Sequence, residues 1–148
     1  MEGKKFIASW ALGSLLLYIT LFLASSITML IAPFNIFDVE GMRPATDPAM
    51  MLYYLYPVLL ALITTFVFSI TRGSLKGSYV EKGLMFGLII FLLLTVTSGF
   101  IVITTMQYPV GFFIDMILNG IISYPLLGIL YTIIWEKCPH CSTTRDTP

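Results

Sequence analysis

Hydrophobic residues run through this chain in four long stretches, at positions 6–32, 48–70, 83–106 and 110–135, and the charged residues gather between them. About 20 apolar residues suffice for a helix to cross the ~30 Å hydrocarbon core of a bilayer, and each stretch is longer than that. A backbone in lipid must satisfy its hydrogen bonds within the segment, which favours helices over any open alternative. The expected fold is therefore all-α: a four-transmembrane-helix antiparallel bundle forming a single membrane domain, followed by a short tail at 136–148.

The intervening segments carry the signals such a bundle needs. Thr46-Asp47-Pro48 supplies a cap and a proline at the first position of the second helix. Ser78-Tyr79-Val80-Glu81 reads as a capping box for the third. Gln107-Tyr108-Pro109 is a tight turn that makes the third and fourth helices a hairpin. The connection over 33–47 is the longest, and its Phe34, Ile36, Phe37 and Val39 either dip into the headgroup layer or cap the bundle mouth. The opening run, Met1-Glu2-Gly3-Lys4-Lys5 and then apolar residues, is too long for a signal-peptide core of about 7–15 residues and is read as a retained first helix.

Charge sets the expected orientation. Of the 8 basic residues, Lys4, Lys5, Arg72, Lys76, Lys82, Lys137 and Arg145 fall on one side of a four-span layout and only Arg43 on the other. Basic residues collect in cytoplasmic loops, so both termini are expected in the cytoplasm of a multi-pass protein of the cell membrane. The formal net charge is +0, and no basic cluster with interleaved aromatics exists, which argues against a nucleic-acid partner. The lipid bilayer is the partner the composition implies, with a homo-oligomer or another membrane protein as further candidates. Tyr79, Tyr108 and Trp135 are expected near the membrane interfaces.

Candidate chemistry concentrates on the fourth helix. Gly111, Asp115, Asn119 and Ser123 recur every four residues and share a slowly rotating face. Asp115 is the one acid inside a predicted span, about 7 Å below the outer boundary at 1.5 Å per residue. An ionised Asp at a helix centre costs about 2.5–3.5 kcal/mol, so it should face the bundle or water rather than lipid. Ser25, Ser26, Thr28, Tyr53, Tyr54, Tyr56, Thr97 and Ser98 lie at a similar depth. These groups are either interhelical hydrogen bonds or a pocket for a small polar or cationic solute, with Asp115, Asn119, Tyr54 and Ser98 as candidate ligand-binding residues. Pro57 and Pro125 are expected to kink the second and fourth helices. The small-residue spacings Gly83-x-x-x-Gly87 and Ser9-x-x-x-Gly13 would let helices approach closely, within the bundle or between copies.

The tail holds both cysteines and the single histidine in Cys138-Pro139-His140-Cys141. These four residues resemble the active-site motif of bacterial thiol oxidases of the thioredoxin-like class, where the motif opens a helix and the first thiol is acidified. The match covers four residues, with no thioredoxin-like segment around them. Cys138 and Cys141 also supply half of a tetrahedral zinc site, with His140 between them, which a second tail or a partner would have to complete. An inert reduced tail is the third reading. No phosphate loop, carboxylate pair or nucleophile with a positioned base is present, so the chain is expected to be non-enzymatic. Its expected role is an accessory or self-associating bundle, with a solute binder or transporter built around Asp115, or a thiol or metal protein built on the tail, as alternatives.

Overall fold

The computed structural model describes residues 2–35, 37, 39 and 42–137. It is all-helical, with no strand among the described residues, and four of its helical rods are long and apolar enough to cross a membrane. The first rod is the α-helix Glu2–Ile31. Its last backbone bond, from Ala32 N to Thr28 O, is followed by Pro33, which cannot extend the ladder. The second rod begins as a 3-10 helix, Pro48–Leu55, capped by Asp47, whose carboxylate accepts from Ala49 N. It continues as the α-helix Tyr56–Thr71 and ends in a 3-10 turn at Arg72–Ser74. The third rod opens on the expected capping box, Ser78 with Glu81, and is α-helical over Tyr79–Phe91. It widens into a π-helical turn at Leu92–Val96 and resumes as Thr97–Thr105. The fourth is the α-helix Val110–Lys137, with Pro125 inside it.

Pro57 stands in the first turn of the α-helical part of the second rod, where the geometry changes from 3-10 to α.

The fourth rod is the axis of the bundle. It packs along both the first and the third rods, while the second packs mainly on the first. Lipid tails are as apolar as leucine, so these contacts are held by close packing and hydrogen bonds rather than by escape from water. Small residues make the closest approaches. A Cβ at Gly83 would sit 2.6 Å from Ile129 Cα, and one at Gly87 would sit 2.5 Å from Pro125 Cα. Gly13 of the first rod faces Tyr131, and Ser9 accepts from Trp135 Nε1 at 2.9 Å. Both small-residue spacings thus serve contacts with the fourth rod of the same chain.

The end of the bundle that holds Glu2 and Lys137 is tightly fastened. Phe68 of the second rod stacks edge-on against Phe86 of the third, 5.0 Å between centroids, and also meets Tyr131 and Trp135. Tyr131 is fully buried, and its hydroxyl donates to Ala61 O at 3.1 Å and pairs with Thr64 Oγ1 at 3.0 Å. Arg72 pairs with Glu2, Lys82 pairs with Glu136, and Lys5 Nζ donates to Trp135 O at 2.9 Å. Trp135 is buried beneath the Arg72 guanidinium, 4.2 Å from its ring centroid. Its indole N–H is taken up inside the bundle by Ser9.

The opposite end, under the 33–47 connection, is looser. The 3-10 piece of the second rod has no buried residue, and Thr97–Thr105 buries only Gly99. Phe34 lies edge-on to Phe112 at 6.3 Å and against Gly111, while Tyr108 reaches the Met42 sulfur at 3.7 Å. These contacts fold the connection back over the mouth of the bundle. The outward faces carry large exposed apolar side chains such as Phe22, Leu30, Leu93 and Phe100, which suits lipid and would be an unusually large apolar surface in water.

Candidate functional site

The first and fourth rods keep a constant register. Ser9 meets Trp135, Gly13 meets Tyr131, Thr20 meets Ser123, and Ala32 meets Gly111. Interpolating along these antiparallel helices sets Asp115 at the level of Thr28 and Asn119 at the level of Ala24, both buried in the first rod. The four residues of the repeating face therefore have different fates. Gly111 admits the Ala32 carbonyl and the Phe34 ring, and Ser123 donates to Thr20 Oγ1 at 2.8 Å. Asp115 Oδ1 and Asn119 Oδ1 are buried and meet no hydrogen-bond donor among the described residues. Thr65 Oγ1 also lacks a bond of good geometry, but it lies beside the Tyr131 hydroxyl.

The neighbouring hydroxyls are spent on their own helices. Thr28 Oγ1 donates to Ala24 O at 3.0 Å, Thr20 Oγ1 to Leu16 O at 3.0 Å, and Ser26 Oγ to Phe22 O at 2.8 Å. These polar groups cost the bundle little and need no ligand. The Asp115 and Asn119 oxygens are different. An unpaired polar atom away from water costs about 1–3 kcal/mol, and more when charged, so two of them one turn apart mark a place that is incomplete by itself.

Of the residues grouped with Asp115 as candidate ligands, only Asn119 shares its face. Ser98 is exposed, and Thr95 and Gly99 take the buried positions instead, with Thr95 against Gly120 and Gly99 against Met116. The cause is the wide turn at Leu92–Val96. Buried positions Gly83, Phe86, Gly87 and Ile90 follow the α-helical period, which would continue to 94 and 97 or 98. One extra residue in the π turn moves them to 95 and 99. Tyr54 is exposed too. Its carbonyl accepts from the Tyr18 hydroxyl, and its ring stands 6.3 Å from that of Tyr53. Tyr53 lies within electrostatic reach of Asp115 and is as exposed as Tyr54. Its place follows from the 3-10 geometry of Pro48–Leu55, which rises about 2.0 Å per residue and carries Tyr53 further toward the mouth than an α-helix would.

No protein-family model matches the chain, and no curated protein and no solved structure matches it either. The site must be read from its own atoms.

Phe112, one turn before Asp115, and Tyr53 both border a cavity of about 890 Å³ at the mouth. Phe37, Met42, Met50, Met51, Tyr54 and Tyr108 complete most of its wall, with Asp47 at the rim. Asp47 pairs with Arg43 at 2.8 Å and caps Ala49 N, so its charge is compensated. Asp115 and Asn119 are not among the residues that line this cavity. A smaller cavity of about 220 Å³, between Tyr18, Leu21, Phe22 and Ser25 of the first rod and the second rod, shares Tyr53 and Tyr54 as a partition.

Among the described residues no group of three metal-binding side chains exists. Cys138, His140 and Cys141, the candidate zinc or thiol residues, lie outside the described residues. Two acceptor oxygens are also a poor match to a hard metal ion, which takes about six to eight oxygen ligands. They suit a group that brings its own N–H donors.

Proposed function

We propose that this chain is a non-enzymatic protein of the cell membrane, with both termini cytoplasmic, that holds a small donor-bearing solute at Asp115 and Asn119. The observation that supports this is the pair of buried acceptor oxygens without donors, one helical turn apart. An ammonium group would supply both hydrogen bonds and a countercharge for Asp115. Solute binding and solute movement are both compatible with this site.

Binding of methylammonium to the purified protein in lipid nanodiscs tests the reading. Asp115→Asn is expected to lower affinity at least about tenfold, equivalent to about 1.4 kcal/mol, because the charge is lost while the shape is kept. Asp115→Glu is expected to recover part of that affinity. Equal binding by native protein and Asp115→Asn would end the proposal.

The orientation rests on the distribution of basic residues and has its own test. In a background with Cys138→Ser and Cys141→Ser, a cysteine at position 38 should label only from outside and one at Gly73 only from inside. Labelling of both from one side would refute it.

A second reading, an accessory subunit, is favoured by the loose mouth. There the second and third rods lack the aromatic closure that Phe68 and Phe86 provide at the other end. A partner helix seated there would co-purify from gently solubilised membranes.

A further inference from the structure

We infer that the groove between the second and fourth rods, at the end that holds Glu2, binds the phosphate of an anionic phospholipid on Arg72. The inference is independent of Asp115. A cavity of about 420 Å³ lies there, and small-ligand sites span about 300–1,000 Å³. Phe68, Ser69, Ile70 and Arg72 of the second rod line one side, with Trp135 and Glu136 of the fourth on the other.

Position is the first argument. The α-helix of the second rod ends at Thr71, so Arg72 stands where the apolar run stops. Ile70, just before it, is exposed. One part of the cavity thus suits an acyl chain and the other a charged headgroup, a gradient from which a free anion gains nothing.

The guanidinium is the second argument. It is held over the Trp135 ring, and among the described residues its one hydrogen-bond partner is Glu2. Arginine carries five N–H donors in a planar fork that matches phosphate, so most of them are free to take an anion. The Glu2 side chain is 76% exposed, and ion pairs at such surfaces contribute little, so its carboxylate exchanges readily for a phosphate. The approach is open, since a Cβ at Gly73, also in the lining, meets nothing within 4 Å.

Net charge selects an anionic lipid over a zwitterionic one. Glu136, the acid in the lining, is paired with Lys82. Lys4 and Lys76, near Glu2 and Arg72 in the chain, have no ion-pair partner among the described residues. Basic pockets at the ends of membrane helices collect anionic headgroups in this way.

The experiment titrates the full chain in nonionic micelles with dioctanoylphosphatidylglycerol, dioctanoylphosphatidylcholine and inorganic phosphate, read by calorimetry. Phosphatidylglycerol is expected to bind at least about tenfold tighter than either of the others. Arg72→Gln should bring it down to the level of phosphatidylcholine, and Arg72→Lys should recover only part, because the charge returns without the fork. Glu2→Gln frees the guanidinium and should tighten phosphatidylglycerol binding about two- to fivefold. Glu2 and Lys76 are both exposed, so their variants leave the packing intact if Arg72→Gln disturbs it. Equal losses in Arg72→Gln and Lys76→Gln would overturn the site in favour of diffuse surface charge, and unchanged or weaker binding by Glu2→Gln would also overturn it. Inorganic phosphate binding as tightly as phosphatidylglycerol would overturn the lipid assignment. Phosphatidylcholine binding as tightly would overturn the preference for a net negative headgroup.

Discussion

Leucine at Gly87 is expected to drive the third and fourth rods apart. Even a Cβ there would lie 2.5 Å from Pro125 Cα and 2.6 Å from Pro125 N, distances that real Cβ contacts do not reach. The obstacle is backbone, and the backbone of a proline, whose ring fixes φ and leaves no rotamer to move aside. Relief therefore requires separating the helices, which also lifts Gly83 off Ile129 and Gly128. Overpacking by one or two methylenes costs about 1–3 kcal/mol in a core that can give. Four added heavy atoms against an immovable wall should cost at least about 3 kcal/mol, a large part of a domain's usual margin of about 5–15 kcal/mol. Gly73→Leu is the control, since a Cβ at Gly73 meets nothing within 4 Å. Unfolding in mixed micelles should show a large loss for Gly87→Leu and little change for Gly73→Leu. Matching midpoints would mean that the close crossing is not part of the folded state.

Tyr131→Ala should be nearly as damaging, for the opposite reason. The side chain is fully buried where all four rods meet, against Gly13, Phe68 and Phe86, with its hydroxyl on Ala61 O and Thr64. Truncating a buried aromatic leaves a cavity and costs about 3–5 kcal/mol in soluble cores. Part of that is transfer from water, which lipid does not supply, so about 2–4 kcal/mol is expected here. Tyr131→Phe keeps the ring and loses only the hydroxyl bonds. Thr64 would still donate to Leu60 O at 2.7 Å, so the loss should be about 0.6 kcal/mol, the average for interhelical bonds in membranes. The ratio of the two effects, read from the same unfolding curves, distinguishes packing from hydrogen bonding as the main tie. Equal losses would assign the tie to the hydroxyl.

The four rods are legible in the sequence because apolar stretches of this length have few alternatives, and the capping box at Ser78 and the Asp47-Pro48 start are legible because caps are local chemistry. Gly83 and Gly87 are recognisable as a close-contact stripe, though only the structure identifies Gly128 and Pro125 as what they touch. Legibility ends where the helical period itself changes. A sequence offers no clear sign that Leu92–Val96 will take a wide turn or that Pro48–Leu55 will wind tightly, and each change rotates the residues beyond it. Ser98 is therefore exposed although a regular helix would bring it inward, and Tyr54 is exposed as well. The Asp115 and Asn119 oxygens are buried, as their spacing suggests, because the fourth rod is continuous through them, with Pro125 only beyond Asn119.

The placement of the two indoles has a consequence for optical work on this molecule. Trp10 donates to Val58 O at 3.1 Å and Trp135 to Ser9 Oγ, so both chromophores sit toward the fastened end with their N–H groups engaged. Trp10 lies about 27 Å along the first rod from the level of Asp115, at 1.5 Å per residue. Tyrosines, by contrast, surround the mouth. Emission excited at the red edge, where tyrosine is silent, is therefore blind to direct contact at the mouth cavity. Any spectral change on adding a solute would instead report a rearrangement carried through the rods to Ser9 and Arg72, which makes the native indoles a built-in detector of transmitted motion.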